Sequence, residues 1–199
     1  MRLLETIRIE KGEPLNLFYH QKRMNSSRKE LFNSKDEIDL VFLLKVQSIP
    51  IVSSIQKCRV IYDTSIREVE IISYEIPQIT SLKLLHCDDI DYAYKYQNRG
   101  KIEELFSKRG IADDIIIVKD GMITDTSYAN LLFFDGEQWI TPAKPLLQGT
   151  QRAKVLAEKR IVEADITPID LVLFERIRLI NAMIRFEDEV DIKVQDIST

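Results

Sequence analysis

The sequence predicts an α+β fold in two lobes. Three observations lead there: short apolar runs arranged as hairpins, separate amphipathic stretches of helical period, and a Pro77-bearing stretch at 73–79 that divides them. The 199 residues with 45% hydrophobic content can fill a sizeable core, and the 30% charge is interspersed rather than blocked. The division places a smaller N-terminal lobe at 1–76, a linker at 77–79 and a larger lobe at 80–199.

Taken in order, residues 4–9 are rich in β-branched and apolar types, a strand, and Glu10-Lys11-Gly12-Glu13-Pro14 supplies a turn. Leu17, Phe18, Met24 and Leu31 among polar neighbours predict a helix over 17–32. A second helix is expected after Ser34 as its cap, with Asp36 and Glu37 in the first turn and Leu40, Phe42, Leu43 and Leu44 inside. Residues 58–62 and 67–74 read as a hairpin around Asp63-Thr64-Ser65. Beyond the joint, 82–85 reads as a buried strand and 99–108 as a helix ended by Gly110. Ile115-Ile116-Ile117-Val118 is wholly apolar, which suggests a strand buried on both faces. Lys119-Asp120-Gly121 is a tight turn into 122–124, and 131–134 with 139–140 forms a further hairpin across Asp135-Gly136. Gly149 then opens a helix running to about residue 159.

Composition narrows the function classes. Net charge −4 and a pI of about 5.4 argue against a nucleic-acid binder. The basic stretches Gln21-Lys22-Arg23 and Arg176-Ile177-Arg178-Leu179 read as helix or strand surface. Cys58 and Cys87 lie far apart, with only His20 and His86 to add to them, so no metal site is expected. Glu5 interrupts any signal-peptide core and no apolar run is long enough to span a bilayer, which leaves the cytoplasm as the default and no membrane partner.

Several residue patterns have a chemical reading beside a structural one. In Gln148-Gly149-Thr150-Gln151-Arg152, glycine permits close backbone approach and the next amides begin a helix, which suits a phosphate; the same glycine also serves as a plain helix start. Asp125, followed by small or hydroxyl-bearing residues and Asn130, can keep an aromatic ring nitrogen protonated or cap a turn. Lys95, flanked by Tyr94 and Tyr96, suits a Schiff-base amine or is an exposed lysine. His20 and Arg23 share a helix face, where the arginine clamps a phosphate or pairs with a neighbouring glutamate.

In sequence order these become Glu5-Thr6, Gly12, His20-x-x-Arg23, Lys95-x-x-Asn98, Gly121, Thr124-Asp125, Asn130, Thr141-Pro142, Gly149 and Arg152. Together, from about residue 4 to 181, they resemble the class IV aminotransferases, fold type IV pyridoxal-phosphate enzymes that include branched-chain and D-amino acid aminotransferases and aminodeoxychorismate lyase. The resemblance implies a two-lobe, D-amino acid aminotransferase-like architecture with pyridoxal 5'-phosphate between the lobes. It implies Lys95 as the lysine that holds the cofactor covalently and moves protons. Arg23 would grip the phosphate with the amides of Thr150 and Gln151 beside Gly149, and Asp125 stands where the family places a glutamate facing the ring nitrogen. Asn98 matches an asparagine one turn after the lysine, and Asn130 one that closes the next strand.

Asn181-Ala182-Met183 and Lys95-Tyr96-Gln97-Asn98 look more like the lyase, in which a threonine such as Thr6 assists proton transfer. The implied reaction is release of pyruvate from 4-amino-4-deoxychorismate to leave 4-aminobenzoate, on the folate route. The alternatives are an amino-acid transaminase, a protein that binds the cofactor without catalysis, and a plain structural domain. A small-molecule amine substrate and a homodimer are implied with it. The sequence departs from the family pattern in Asp125, one methylene shorter than glutamate, in Gln151 for a small hydroxyl residue and in Gln148 for proline. It is also expected to lack the strand and turn upstream of Glu5-Thr6 in longer relatives.

Overall fold

The structure, a computed structural model, describes residues 1–47 and 49–198. The chain divides into two compact units, Met1–Ile76 with Tyr94–Asn98, and Pro77–Ala93 with Arg99–Thr199.

In the first unit, β1 (Leu3–Glu10), β2 (Glu13–Pro14), α1 (Leu17–Phe32), α2 (Leu40–Lys45), β3 (Gln56–Tyr62) and β4 (Ile66–Ser73) follow one another. The strands form an antiparallel sheet of order β2-β1-β3-β4. Lys11 and Gly12 join β1 to β2 with φ of 51° and 83°, the positive values that a two-residue hairpin turn requires. Pleating sends Leu3, Ile7 and Ile9 to one face, where they pack with Met24, Leu40, Leu44, Cys58, Val60 and Tyr62.

The second helix starts later than Ser34. It begins at Leu40, with Asp39 Oδ1 accepting from the Phe42 amide at 3.0 Å. Residues 36–38 cannot join it because side chains of α1 claim their backbone. Buried Arg28 donates to Asp36 O at 2.9 Å and to Thr64 O at 2.7 Å, and Asn25 exchanges two hydrogen bonds with the Ile38 backbone.

The second unit contains β5 (Leu82–His86), α3 (Gly100–Ser107), β6 (Asp114–Lys119), β7 (Met122–Thr126), β8 (Asn130–Phe134), β9 (Trp139–Pro142) and α4 (Thr150–Ala157). After these come β10 (Val162–Ala164), β11 (Arg176–Ile180), β12 (Asp191–Lys193) and β13 (Ile197–Ser198). The sheet runs β10-β9-β8-β7-β6-β5-β13, and β11 pairs with β8 and β12. Residues Ile115 to Val118 of β6 are fully buried, as an apolar run in a covered strand must be. Leu82, Ile116, Ile123, Leu131, Phe133, Ile177 and Leu179 form the core around them.

Of the stretch from Arg176 to Leu179, only Arg176 lies at the surface. The stretch belongs to β11, paired with β8 along 176–180, and Arg178 is only 4% exposed. Its charge is met by Asp191 Oδ1 and Oδ2 at 2.6 and 2.8 Å and by Phe186 O at 2.9 Å. Alternating arginines looked like a solvated face because the acidic partner sits 13 residues away on β12. Among the described residues no helix is long and apolar enough to cross a membrane.

Candidate active site

Polar side chains that the apolar pattern leaves unexplained gather in two places, one in each unit. In the first, Glu5 occupies the core face of β1 between Leu3 and Ile7 and is fully buried. A buried carboxylate needs partners, and α1 supplies them from His20 and Arg23, three residues apart. His20 Nδ1 lies 2.6 Å from Glu5 Oε2, and Arg23 donates from Nε to Oε1 at 2.9 Å and from Nη2 to Oε2 at 2.5 Å. Burial by itself would raise the Glu5 pKa, but the Arg23 charge and the His20 hydrogen bond outweigh it and hold it at about 2. With Glu5 ionised, the His20 contact requires the proton on Nδ1. Burial depresses the His20 pKa, Glu5 partly offsets that, and the charges of Arg23 and Lys95 depress it further. The ring is therefore neutral at pH 7.

Lys95 joins this unit through its backbone. The Leu4 amide donates to Lys95 O at 2.9 Å, the Gln97 amide donates to Arg2 O at 3.0 Å, and Tyr96 bridges Leu3. The segment thus runs along the edge of β1 that β3 does not use. Tyr94 and Tyr96, with ring centroids 6.0 Å apart, rest on the first core and leave Lys95 half-buried between them in sequence. Asn98 is not one helical turn beyond Lys95, because the edge bonding to β1 keeps 94–98 out of a helix and α3 starts only at Gly100. Thr6 follows Glu5 on β1, so the pleat turns it to the opposite face, in register with Arg59 of β3.

In the second unit a tight turn joins β7 to β8, with the Thr126 amide donating to Ala129 O at 2.9 Å and Thr126 Oγ1 accepting from the Ala129 amide at 3.0 Å. The turn sets Asp125 directly opposite Asn130. Asn130 Nδ2 donates to Asp125 Oδ1 at 2.8 Å and to Leu147 O at 2.9 Å, and the Leu147 amide donates to Asp125 Oδ2 at 2.9 Å. A Cβ on Gly149 would meet Asn130 Oδ1 at 1.9 Å. Glycine is required there by space rather than by φ, which is an ordinary −68°.

Gly149 caps α4, whose first turn holds buried Thr150 and Gln151 and no acidic residue. The carbonyls of α4 itself cannot serve those first amides. Arg152 is turned away from any ligand role by protein partners. Its guanidinium donates to Thr141 Oγ1 at 3.3 Å, Gln148 Oε1 at 2.9 Å, Pro142 O at 2.9 Å and Glu163 Oε1 at 2.6 Å.

Burial pushes the Asp125 pKa up to about 6, against the hydrogen bonds from Leu147 and Asn130 and the charge of Arg152. A raised carboxyl pKa means that the folded state holds this proton more tightly than the unfolded state. Its contribution to stability therefore grows as pH falls from about 6 to about 4, by about 3 kcal/mol in all. Denaturant unfolding of the wild type and Asp125→Asn across that range is expected to show this slope in the wild type alone.

Of the sequence-derived candidates, the structure groups Arg23 and Lys95 in the first unit, and Asp125, Asn130, Gly149, Thr150 and Gln151 in the second. The sequence reading did not assign Glu5, His20 or Leu147 to the site. Glu5 was detectable as a single carboxylate on an otherwise apolar strand face; Leu147 acts through its backbone and leaves no residue-type signal.

Residues 95–186 match the family model described as amino-transferase class IV. An uncharacterized protein of Haemophilus influenzae is 38% identical over 182 residues, spanning 91% of this chain and 97% of that protein. This chain belongs to the class IV aminotransferase family. Among solved structures, a protein of Haemophilus somnus 129pt, provisionally assigned as a 4-amino-4-deoxychorismate lyase, is 36% identical with a TM-score of 0.88. That match covers 93% of this chain and 97% of the other. The PLP-bound form of a hypothetical aminotransferase from Mycobacterium tuberculosis shares the fold at a TM-score of 0.76 and 16% identity, over 98% of this chain and 81% of the other. The class IV chain thus has the α+β architecture of fold type IV.

Proposed function

We propose that this class IV protein is a pyridoxal-phosphate-dependent lyase that releases pyruvate from 4-amino-4-deoxychorismate and leaves 4-aminobenzoate. The observation that carries it is the 36% identity, over 97% of its length, to the Haemophilus somnus protein provisionally given that activity. The residues present fit the cofactor. An anion is favoured at the start of α4, where the first turn carries no carboxylate and the helix dipole presents its positive end. Lys95 supplies a primary amine, half-buried beside a neutral His20 whose pKa responds to it.

In this reading the amides of Thr150 and Gln151, with Arg23, hold the phosphate. Arg23 already lends Nε and Nη2 to Glu5, so the ionised glutamate fixes the plane of the guanidinium. Lys95 holds the cofactor covalently and, once displaced by the substrate amine, accepts and returns a proton at Nζ. The bound cofactor supplies an electron-withdrawing ring that weakens bonds at the substrate amine carbon.

A second reading, amino-group transfer, is favoured by the family model that matches 95–186; in both, Lys95 takes the proton from the substrate amine carbon, and they differ in whether the pyruvate group or the amino group then leaves the substrate. A homodimer in the cytoplasm acting on a small amine fits either.

The decisive experiment is spectroscopic and then catalytic. Purified protein with pyridoxal phosphate is expected to show a near-visible absorption band, and borohydride reduction is expected to fix the added mass on Lys95. Lys95→Ala should lose both the band and the activity. Pyruvate release from aminodeoxychorismate, run beside amino transfer to 2-oxoglutarate, separates the two reactions. A colourless wild-type protein that takes up no cofactor would sink both.

A further inference from the structure

We propose that Asp125 is a positioning residue for the phosphate-binding start of α4, acting through Asn130 and the Leu147 backbone, rather than the partner of the cofactor ring nitrogen. The inference rests on the cofactor reading above and concerns this chain's own departure from glutamate.

Three observations carry it. Each Asp125 oxygen accepts from a protein donor, Oδ1 from Asn130 Nδ2 and Oδ2 from the Leu147 amide, so the carboxylate is oriented by the loop. Residue 147 is clamped at both of its backbone groups, its amide by Asp125 and its carbonyl by Asn130, as a strand residue is held by a neighbouring strand. The same Asn130 places Oδ1 in the space that a Cβ on Gly149 would need, so the backbone of 149 packs directly against it. Asp125 therefore fixes Asn130, Asn130 holds 147 and packs against 149, and these two place the first amides of α4.

Side-chain length is part of the device. Aspartate reaches both donors from its position opposite Asn130. A glutamate would carry its carboxylate one methylene further, past the Leu147 amide. The shorter residue thus reads as an exchange of ring contact for loop support.

A role at the ring and a role at the loop separate by ligand. Affinities are compared for pyridoxal phosphate, for pyridoxal, which lacks the phosphate, and for inorganic phosphate alone, in wild type, Asp125→Asn and Asp125→Glu. Asp125→Asn keeps the shape but sets an NH₂ against one of the two donors. It is expected to weaken pyridoxal phosphate and inorganic phosphate binding about tenfold or more, and pyridoxal by less than about twofold. Asp125→Glu is expected to do the same rather than to improve binding. In the apo protein, the Leu147 amide is expected to exchange faster in both variants, with their melting cooperativity intact.

Equal weakening of pyridoxal and pyridoxal phosphate would overturn the inference, because the carboxylate would then be acting on the ring. Unchanged exchange at Leu147 would overturn it independently. If the wild type binds neither pyridoxal compound, the enzyme reading fails by itself, and the phosphate and exchange measurements still decide the role of Asp125.

Discussion

Glu5→Ala is expected to cost about 3–5 kcal/mol of folding stability, the range for removing one partner of a buried ion pair. The wild-type carboxylate is fully buried and compensates Arg23 and His20 together. With Glu5 gone, a guanidinium whose side chain is only 14% exposed loses its counter-charge, and His20 Nδ1–H loses its acceptor. Urea unfolding at pH 7 measures the loss as a fall in midpoint at an unchanged slope. The acid limb gives a second signature. A pKa of about 2 against the ordinary 4.5 means that this stability is present above pH 4.5 and is lost as pH falls toward 2, by about 3 kcal/mol. Glu5→Gln should lose that pH dependence. Equal acid sensitivity in the wild type and Glu5→Gln would refute the buried ion pair as its source.

Arg152→Ala is the second large effect, about 2–4 kcal/mol, from buried acceptors left without a donor and the lost packing of a buried side chain. Arg152 is 2% exposed and joins α4 to Thr141 and Pro142 of β9, to Gln148 in the preceding loop and to Glu163 of β10. Truncation leaves the Pro142 carbonyl and Thr141 hydroxyl without this donor inside the protein. Arg152→Lys should recover only a minority of the loss, because a single ammonium cannot reproduce a planar fork with four acceptors around it. Thermal melts of the three proteins rank them. A lysine variant as stable as wild type would show that charge alone, rather than the fork, is what α4 needs.

These two residues show how unevenly the molecule was legible beforehand. Elements whose driving force is local were readable. The apolar run Ile115 to Val118, the Asp120-Gly121 turn and the period of α1 each contain their own reason to form. The start of α2 was misplaced because Arg28 and Asn25, on another helix, remove residues 36–38 from it. β11 was missed for a similar reason: its arginines look solvated until Asp191 comes alongside.

The candidate site divides the same way. The identities of Lys95, Arg23, Asp125 and Gly149, and their order, come from the amino-acid sequence, and they suffice to name a family. Their use does not. Only the tertiary structure puts Glu5 under Arg23, bends Lys95 onto the edge of β1 and turns both oxygens of Asp125 toward donors of the chain itself. The physical reason is that covalent order fixes which groups exist, whereas the acceptors that saturate a buried donor are chosen by packing between segments distant in sequence.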